Sequence, residues 1–269
     1  MNKIRNSLKN ISKDTIYKIL SLDNTLSFED FDVLVLSPVF DEKLFLQAEA
    51  VINIAPNIFE IHFNNKKALF CMPGIGADSV GDFFIQLYEL WNFKNVIFIG
   101  TAGSLCEDIK VNDLVCPSYA VQCNSYFEFM NSNSTSLSSL QRYFSKKDYY
   151  NPLCKIVKNC AKNEKIFFEP VYSVDGILTH WVKMDDMITM GCKVVEMEVA
   201  TLYGLSALYN VNAFSMLFIT DNAYIDRSIY DDLKNFNSVK AHKFLMKNIL
   251  QIMNLNFNDT TAYKNSDVM

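Results

Sequence analysis

The fold is indicated most directly by the stretch Asn95-Val-Ile-Phe-Ile-Gly-Thr-Ala-Gly-Ser104. The mostly apolar segment Asn95–Ile99 predicts a buried strand, and it runs directly into Gly100-Thr-Ala-Gly103. Two glycines just past a strand can form a nest of backbone N–H groups for an anion or a sugar hydroxyl. A β-bulge without a ligand is the alternative interpretation. Ligands gather at the carboxyl ends of strands in open α/β sheets, so this turn is a candidate binding site.

Strands and helices alternate along the rest of the chain. Apolar runs predict the other strands, which are Phe31–Ser37, Ile58–Phe63, Lys67–Met72, Val111–Pro117, Phe167–Ser173, Val194–Val195 and Ala213–Thr220. Helical periodicity predicts the helices, which are Asp41–Ala50, Ala77–Trp91, Pro152–Asn163, Thr179–Met190, a helix from Glu198 to about Tyr209, and Ser238–Met253. This alternation predicts a single α/β domain, a mixed twisted sheet flanked by helices.

Three segments fall outside this alternation. Residues 1–30 predict a polar, N-terminal helical extension, and residues 257–269, rich in Asn, Asp and Thr, predict a frayed tail. Residues 31–256 then form the main domain. The segment Asn124–Asn151 has a Ser- and Asn-rich centre and weak periodicity, which predicts a long excursion outside the core.

Composition limits the function classes. The chain has 269 residues, of which 50% are hydrophobic and 20% charged, and this fits one large domain with ample core. No apolar run reaches the roughly 18 residues that could span a bilayer, and the polar N-terminus lacks the apolar core of a secretory signal. We therefore expect a cytoplasmic protein with no membrane partner. The net charge of −5 argues against nonspecific nucleic-acid binding, which needs a basic face.

Cysteines, histidines and arginines narrow the chemistry further. Seven cysteines without regular spacing are typical of reduced thiols. The histidines His62, His180 and His242 lie far apart in sequence, so we predict no metal site and no cofactor. The chain has 22 lysines but only three arginines, and anion sites are expected to use lysine, which cannot bind an anion bidentately.

Two further segments place carboxylates next to predicted strands. Glu196 and Glu198 bracket Met197 after an apolar strand. They could cap the following helix, or they could accept hydrogen bonds from the vicinal hydroxyls of a ribose. Asp221 lies at the end of the last predicted core strand, where it could cap a turn or, if partly buried, act as a general acid.

Together these motifs resemble the nucleoside phosphorylase and nucleosidase superfamily. The matching segments are Met72-Pro-Gly-Ile-Gly76, Ile99-Gly-Thr-Ala-Gly-Ser-Leu105, Val195-Glu-Met-Glu-Val-Ala-Thr-Leu-Tyr203 and Ile219-Thr-Asp-Asn-Ala223. The group includes hexameric purine nucleoside phosphorylases, uridine phosphorylases and methylthioadenosine/adenosylhomocysteine nucleosidases. The resemblance covers the chain from about Phe31 to the C-terminal helix. It implies a partly barrel-like sheet and cleavage of the N-glycosidic bond of a nucleoside.

The resemblance also implies a role for each matching residue. Glu198 would hold the 2′- and 3′-hydroxyls of the ribose, with Met197 packing against the sugar and Glu196 beside it. Asp221 would donate a proton to purine N7 and make the base a better leaving group. The segment that would line the base includes Ser173, Val174 and Asp175. The residues that would contact phosphate or an attacking water are Gly76, Thr101, Ala102 and Gly103.

Three departures from the phosphorylase pattern concern the phosphate. Phosphorylases of this family usually carry an arginine where this chain has Phe98. Another arginine, in the first loop, is replaced by Lys43, and a third has no match between Val51 and Lys67. Losing one charge-assisted contact weakens anion binding by roughly 1.5–3 kcal/mol. Phosphate binding would then depend on lysine.

Three functions therefore remain open. The first is phosphorolysis of a purine nucleoside to base and (deoxy)ribose 1-phosphate, with inorganic phosphate as co-substrate. The second is hydrolysis of the nucleosidase type, with Glu42 activating a water. The third is a degenerate nucleoside-binding protein. A purine is favoured because the Gln-x-Arg pair of uridine phosphorylases is missing. We also expect a homo-oligomer, a dimer or a hexamer, although no histidine precedes His62 to match the one that hexameric phosphorylases contribute across their interface.

Overall fold

The computed structural model of the chain describes residues 11–28, 31–123, 126, 141–161, 164–176, 184–225 and 237–253. Its α-helices are α1 (Lys13–Ile19), α2 (Ala77–Trp91), α3 (Lys147–Cys160), α4 (Met184–Thr189), α5 (Val199–Tyr209) and α6 (Ser238–Met253). Two short 3-10 helices span Glu42–Phe45 and Ala223–Ile225. The strands are β1 (Val33–Leu36), β2 (Ala50–Ala55), β3 (Ile58–Phe63), β4 (Lys66–Cys71), β5 (Asn95–Ser104), β6 (Leu114–Val115), β7 (Tyr119–Cys123), β8 (Arg142–Phe144), β9 (Ile166–Phe167), β10 (Val171–Val174), β11 (Val194–Glu196) and β12 (Asn212–Asn222).

All these strands belong to one mixed sheet organised around β5. The main order is β2-β3-β4-β1-β5-β11-β10-β7-β8, and β12 pairs with β5 while β6 joins β12 to β9. Strand β12 runs parallel to β5 along its whole length. On the other side of β5, β1 pairs in parallel with the first half and β11 pairs antiparallel with the second half. The sheet is not closed into a barrel.

Apolar side chains fill both faces of the sheet. One face packs against α2 and α5, where Phe84 and Tyr203 are fully buried. The other face packs against α3 and α6, through residues such as Leu153 and Leu245. Helix α5 is buried around most of its circumference, which is typical of a helix inside a large core. The prediction of one α/β domain with helices flanking a mixed sheet is confirmed.

Local sequence signals predicted several elements correctly. Helices α2 and α6 have the predicted bounds. The pair Asn64-Asn65 joins β3 to β4, and both asparagines have positive φ, as a tight hairpin turn requires. Helix α2 ends at Asn92, which caps it in the left-handed conformation, the usual way to end a helix where glycine is missing.

The predicted helix Asp41–Ala50 is wrong. Only the 3-10 turn Glu42–Phe45 forms there, and Ala50 begins the edge strand β2. That strand was missed because its sequence does not alternate between polar and apolar residues, and Val51 and Ile52 are both exposed. Its strand conformation depends on antiparallel pairing with β3, a contact that local periodicity does not encode.

The predicted turn Gly100–Gly103 is also wrong, because β5 continues through it to Ser104. Among the described glycines, those with positive φ are Gly76 and Gly191, so Gly100 and Gly103 do not form a nest. Continuous pairing with β12 extends the strand. Asp221 lies near the carboxyl end of β12, as predicted, and the strand runs one residue further to Asn222.

Other observed bounds differ from the predicted ones near prolines and at short strands. Helix α3 begins at Lys147, five residues before the predicted Pro152. The predicted strand Phe167–Ser173 is two strands, β9 and β10, separated around Pro170, which has no N–H for a ladder. Val111–Pro117 contributes only β6. Strands β7 and β8 were not predicted, and most of the excursion between them lies outside the described residues.

The described part of the predicted N-terminal extension packs on α2. Ile16 and Leu20 of the α1 segment are buried in the same cluster as the α2 side chains. Phe28 stacks on Trp91 with ring centroids 6.4 Å apart. The predicted tail 257–269 lies outside the described residues. Of the helices that the structure describes, none is long and apolar enough to cross a membrane.

Candidate active site

A cavity lies where β11, β5 and β12 meet near Gly103. In the sheet register, Gly103 is paired with Val195 of β11 on one side and with Asp221 of β12 on the other. The sheet and the turn after β11 contribute Thr101, Ala102, Gly103, Val195, Glu196, Met197, Glu198, Thr220 and Asp221 to its walls. Loop and strand ends add Pro38, Val39, Ile75 and Val174. The three predicted segments are thus brought together as the sequence suggested.

Asp221 reaches the cavity through a β-bulge. The pairing of β12 with β5 shifts between Ile219 and Asp221, so that Thr220 is an extra residue. A bulge of this kind re-aims the side chain beside it. The Asp221 carboxyl is almost fully buried, and its Oδ1 lies 3.0 Å from the Thr220 hydroxyl. Asp221 is therefore a fixed acid inside the cavity wall.

Gly103 makes room for that acid. A Cβ atom built on Gly103 would lie 2.8 Å from Asp221 Oδ2 and 3.3 Å from a Val195 methyl group, closer than normal van der Waals contact allows. The glycine is needed here for close approach, and not for the nest that the sequence suggested. Gly100 has a different neighbour, because its Cβ would meet the Phe98 ring at 2.8 Å.

Glu198 stands between two helix N-termini. It is the N-cap residue of α5, and its own side chain makes no capping hydrogen bond there. Instead its Oε1 accepts a hydrogen bond of 2.7 Å from the N–H of Gly76, the N-cap residue of α2. Gly76 has φ +106°, which explains the need for glycine at that position. The predicted Gly76 therefore touches Glu198, and the neighbouring Ile75 lines the cavity.

Glu196 caps α5 from two residues before its N-cap. Its Oε2 accepts hydrogen bonds from the N–H groups of Glu198 (2.6 Å) and Val199 (2.7 Å). Its Oε1 accepts from the hydroxyl of Ser173. Capping was one of the two alternatives for this pair of carboxylates. The structure shows it for Glu196, while Glu198 is directed toward the cavity and Gly76.

Burial raises the pKa of both glutamates above the ordinary value. For Glu198, the negative charge of Glu196 raises the pKa further. For Glu196, the hydrogen bonds from Ser173 and from the backbone oppose the effect of burial. Among the described residues that line the cavity there are three carboxyl groups and no lysine, arginine or histidine. The cavity is suited to hydroxyl donors and to positive charge, and poorly suited to an anion.

The two residues predicted in the first loop lie elsewhere. Glu42 and Lys43 are not among the residues that line the cavity. The Lys43 side chain is 68% exposed, and its Nζ lies 3.1 Å from Asp41 Oδ2. Phe98 is fully buried in the core. The structure therefore places Lys43 at the surface, where it pairs with Asp41 of its own loop, and not on the cavity wall.

The three residues predicted to line the base are also separated. Val174 lines the cavity. Ser173 is fully buried behind it and is bonded to Glu196, so its predicted contact with the base is not supported. Asp175 is exposed and does not line the cavity. Neighbouring side chains of a strand point to opposite faces of the sheet, so Ser173 points away from the cavity that Val174 lines. Asp175 follows the last residue of β10, Val174.

Some cavity residues were not predicted from the sequence. Pro38, Val39 and Ile75 form an apolar rim, in which Val39 and Ile75 are well exposed. Pro38 and Val39 belong to none of the matching segments. Ile75 lies inside the matching segment Met72–Gly76, but its aliphatic side chain gave no chemical reason to select it. Thr220 had a weak signal, because it precedes Asp221 in the matching motif. In the part of the chain that the structure describes, no three His, Cys, Asp or Glu side chains are grouped to hold a metal ion.

Comparisons with known proteins find a family model and relatives of similar sequence. The family model described as "Phosphorylase superfamily" matches residues 34–247. The DeoD-type purine nucleoside phosphorylase of Thermoanaerobacter sp. (strain X514) is 30% identical over 173 residues, which are 61% of this chain and 68% of that protein.

Solved structures share the fold at lower identity. Futalosine hydrolase of Helicobacter pylori strain 26695 superimposes with a TM-score of 0.66 and 19% identity, over 84% of this chain and 100% of that one. The P. knowlesi homologue of P. falciparum PNP superimposes with a TM-score of 0.67 and 19% identity, over 85% of this chain and 92% of that one. At this identity the superpositions establish the fold.

Proposed function

This chain belongs to the phosphorylase superfamily, and we propose that it cleaves the N-glycosidic bond of a purine nucleoside. The observation that carries the proposal is the placement of Asp221 and Glu198, both almost fully buried, on the walls of one cavity. Cleavage needs a proton donor for the leaving base and an acceptor for the sugar hydroxyls. The cavity offers one carboxyl group for each task.

Asp221 is the proposed general acid. The C1′–N9 bond breaks with its electron pair moving to the base, and Asp221 donates a proton to purine N7 to neutralise that base. A well-placed general acid contributes about 10²–10⁴-fold to a rate. The bulge at Thr220 and the space left by Gly103 hold the carboxyl in place, so little reorganisation is needed at the moment of proton transfer.

Glu198 is the proposed ribose ligand. Its Oε1 accepts from Gly76 N–H, and hydroxyl groups of the sugar are the donors that the carboxylate can add. Met197 lies beside it in the cavity wall and provides an apolar surface for the sugar ring. As the bond breaks the sugar becomes cationic, and neighbouring carboxylates stabilise that charge more than they stabilise the neutral ground state.

Water is the nucleophile that this geometry favours. Phosphate would enter next to the carboxyl groups of Glu196 and Glu198, and no cationic side chain among the described lining residues would offset their negative charge. Water carries no charge and meets no such repulsion. Thr101 is a hydroxyl group in the cavity wall that can hold it. The proposed acceptor of the water proton remains Glu42, which lies three residues after the lining residue Val39 but does not itself line the cavity. This role requires the first loop to move toward Thr101.

Phosphorolysis is the second candidate. It is favoured by similarity to the Thermoanaerobacter purine nucleoside phosphorylase, since 30% identity over 68% of that protein exceeds the identity to any structure described above. In this case backbone N–H groups near Thr101 would bind the phosphate without arginine. Weak phosphate binding, and so a high KM for phosphate, would be expected.

The deciding experiment is cleavage of inosine and adenosine by the purified full chain, with and without millimolar phosphate. Free ribose at the same rate in both conditions would support hydrolysis. Strict phosphate dependence with ribose 1-phosphate as product would support phosphorolysis. Binding of both nucleosides without any cleavage would overturn the enzymatic proposal in favour of a nucleoside-binding protein.

A further inference from the structure

Glu196 and Glu198 border the same cavity but use their carboxyl oxygens differently. Glu198 accepts a hydrogen bond from Gly76 at one oxygen. Glu196 accepts at both oxygens, from Ser173 at Oε1 and from the N–H groups of Glu198 and Val199 at Oε2. A carboxylate held on both sides by protein donors has little capacity left for a ligand.

We propose that Glu196 is a positioning residue and not a substrate ligand, and that Glu196 and Ser173 together hold the turn that presents Glu198 to the nucleoside. This inference rests on the proposed function, because Glu198 is taken as the ribose ligand. It replaces the expectation that both glutamates contact the sugar.

The start of α5 explains why this turn needs to be held. A helix N-terminus leaves backbone N–H groups without partners, and a nearby carboxylate is attracted to them. Glu198 is the N-cap residue, with φ −130° and ψ −31°, and makes no capping bond itself. If Glu196 did not occupy the N–H groups of Glu198 and Val199, the Glu198 carboxylate would compete for them and turn away from the cavity.

Ser173 connects this cap to the sheet. It lies on β10, directly opposite Glu196 on the parallel strand β11. Its hydroxyl donates to Glu196 and accepts a hydrogen bond of 3.0 Å from Ala200 N–H in the first turn of α5. One fully buried hydroxyl therefore ties the strand pair to the helix start, and buried networks of this kind restrict a side chain to one arrangement.

The chain provides a matched control for Ser173. Ser206 lies on α5, is also buried, and its hydroxyl has no hydrogen-bond partner in the structure. Replacing either serine by alanine removes one buried hydroxyl group. Only at position 173 does the change break a contact with Glu196. A loss of activity at 173 that is absent at 206 is therefore specific to the positioning contact.

The first test compares two substitutions of Glu196 in the full chain. In Glu196→Gln the amide oxygen can still accept from the two backbone N–H groups, and the amide nitrogen can donate to Ser173. We expect Glu196→Gln to keep kcat/KM for inosine within about threefold and Glu196→Ala to lose about tenfold or more, because only alanine releases the cap. A Glu196→Gln variant as impaired as Glu196→Ala would mean that the charge itself is needed, and would overturn the proposal.

The second test is a double-mutant cycle between Ser173→Ala and Glu198→Gln. If Ser173 acts through Glu198, we expect Ser173→Ala to lower kcat/KM about tenfold in the wild type and less than twofold in the Glu198→Gln background. Ser206→Ala should change kcat/KM less than twofold in both backgrounds. Equal losses from Ser173→Ala in the two backgrounds would show a merely structural effect and would overturn the proposal.

Failure of the proposed function can be separated from failure of this inference. If the wild type binds inosine but does not cleave it, the same cycle is measured on the Kd for inosine. The positioning proposal then requires that Ser173→Ala weaken inosine binding less in the Glu198→Gln background than in the wild type. Equal weakening in both backgrounds would overturn it. If the wild type cleaves inosine and Ser173→Ala matches Ser206→Ala, only the positioning proposal fails. A wild type that neither binds nor cleaves inosine or adenosine overturns both.

Discussion

The two sides of the cavity differ in how firmly their polar groups are held. On the sheet side, Glu198 and Asp221 are almost fully buried, and Gly76 and Thr220 contact their carboxyl groups. On the side of the first loop, Pro38 and Val39 form an apolar rim. The charged Lys43 of that loop lies at the surface and pairs with Asp41.

The two sides differ because the carboxyl groups on the sheet side are held by atoms of the sheet and of helix N-termini, whereas Lys43 is held by a surface ion pair. Backbone N–H groups and bulges are fixed by the sheet, so a carboxylate that binds them has one position. A surface lysine is a flexible point charge, and an exposed ion pair of this kind is screened by solvent and does not fix the side chain in one position. The described cavity wall therefore holds two carboxyl groups, those of Glu198 and Asp221, in fixed positions, and no cationic side chain is held there in the same way.

The largest expected effect comes from removing the acid on the sheet side. Asp221→Asn keeps the shape of the side chain but supplies no carboxyl proton, and we expect kcat for inosine to fall about 100-fold or more. Asp108→Asn is the matched control, because Asp108 is exposed after the end of β5. Steady-state kinetics and nucleoside binding check this. Full activity of Asp221→Asn would remove the acid from the mechanism.

A smaller effect is expected when the acid is displaced but not removed. Gly103→Ala places a Cβ 2.8 Å from Asp221 Oδ2, and the side chain must move. We expect kcat to fall about tenfold, in line with the sensitivity of catalysis to small misplacements.

Gly100→Ala is the counterpart on the same strand. Its Cβ meets the buried Phe98 ring and Leu217, so overpacking should lower the free energy of unfolding by about 1–3 kcal/mol while kcat changes little. Thermal denaturation and kinetics of both variants separate the two effects. Equal kcat in the two variants would contradict the role given to Gly103.

The buried glutamates should make stability depend on pH. Their pKa values are raised by burial above the ordinary 4.5, so the folded state binds more protons than the unfolded state. The free energy of unfolding must then fall as pH rises above about 4.5 toward the raised folded values. Glu198→Gln should flatten this fall, as measured by urea denaturation between pH 5 and pH 8. An unchanged slope would mean that Glu198 titrates normally.

The smallest effect is expected on the loop side. Lys43→Ala removes an exposed charge that pairs with Asp41 of its own loop, and we expect kcat and the dependence on phosphate to change less than about twofold. A clear rise in KM for phosphate in this variant would contradict the contrast between the two sides, because it would show that Lys43 reaches the cavity during turnover.

Much of the fold could be predicted where signals are local. The amphipathic pattern defined α2 and α6, and Asn64-Asn65 defined a hairpin turn. Elements that depend on pairing were misjudged. Strand β2 exists because β3 lies beside it, and β5 continues past Gly100 because β12 pairs with it. Pairing partners distant in sequence leave no periodic signal in the strand itself.

The candidate site divides in the same way. The sequence by itself determined that Glu196, Glu198 and Asp221 follow or end buried strands, because apolar runs and the carboxylates next to them can be read directly from the order of residues. The tertiary structure decided their separate roles. Glu196 caps a helix, Glu198 meets the N-terminus of another helix 122 residues away in sequence, and Gly103 gives Asp221 its space. These roles depend on which backbone donors and which Cβ atoms lie nearby, and such distances are fixed only when strands remote in sequence pair in one register.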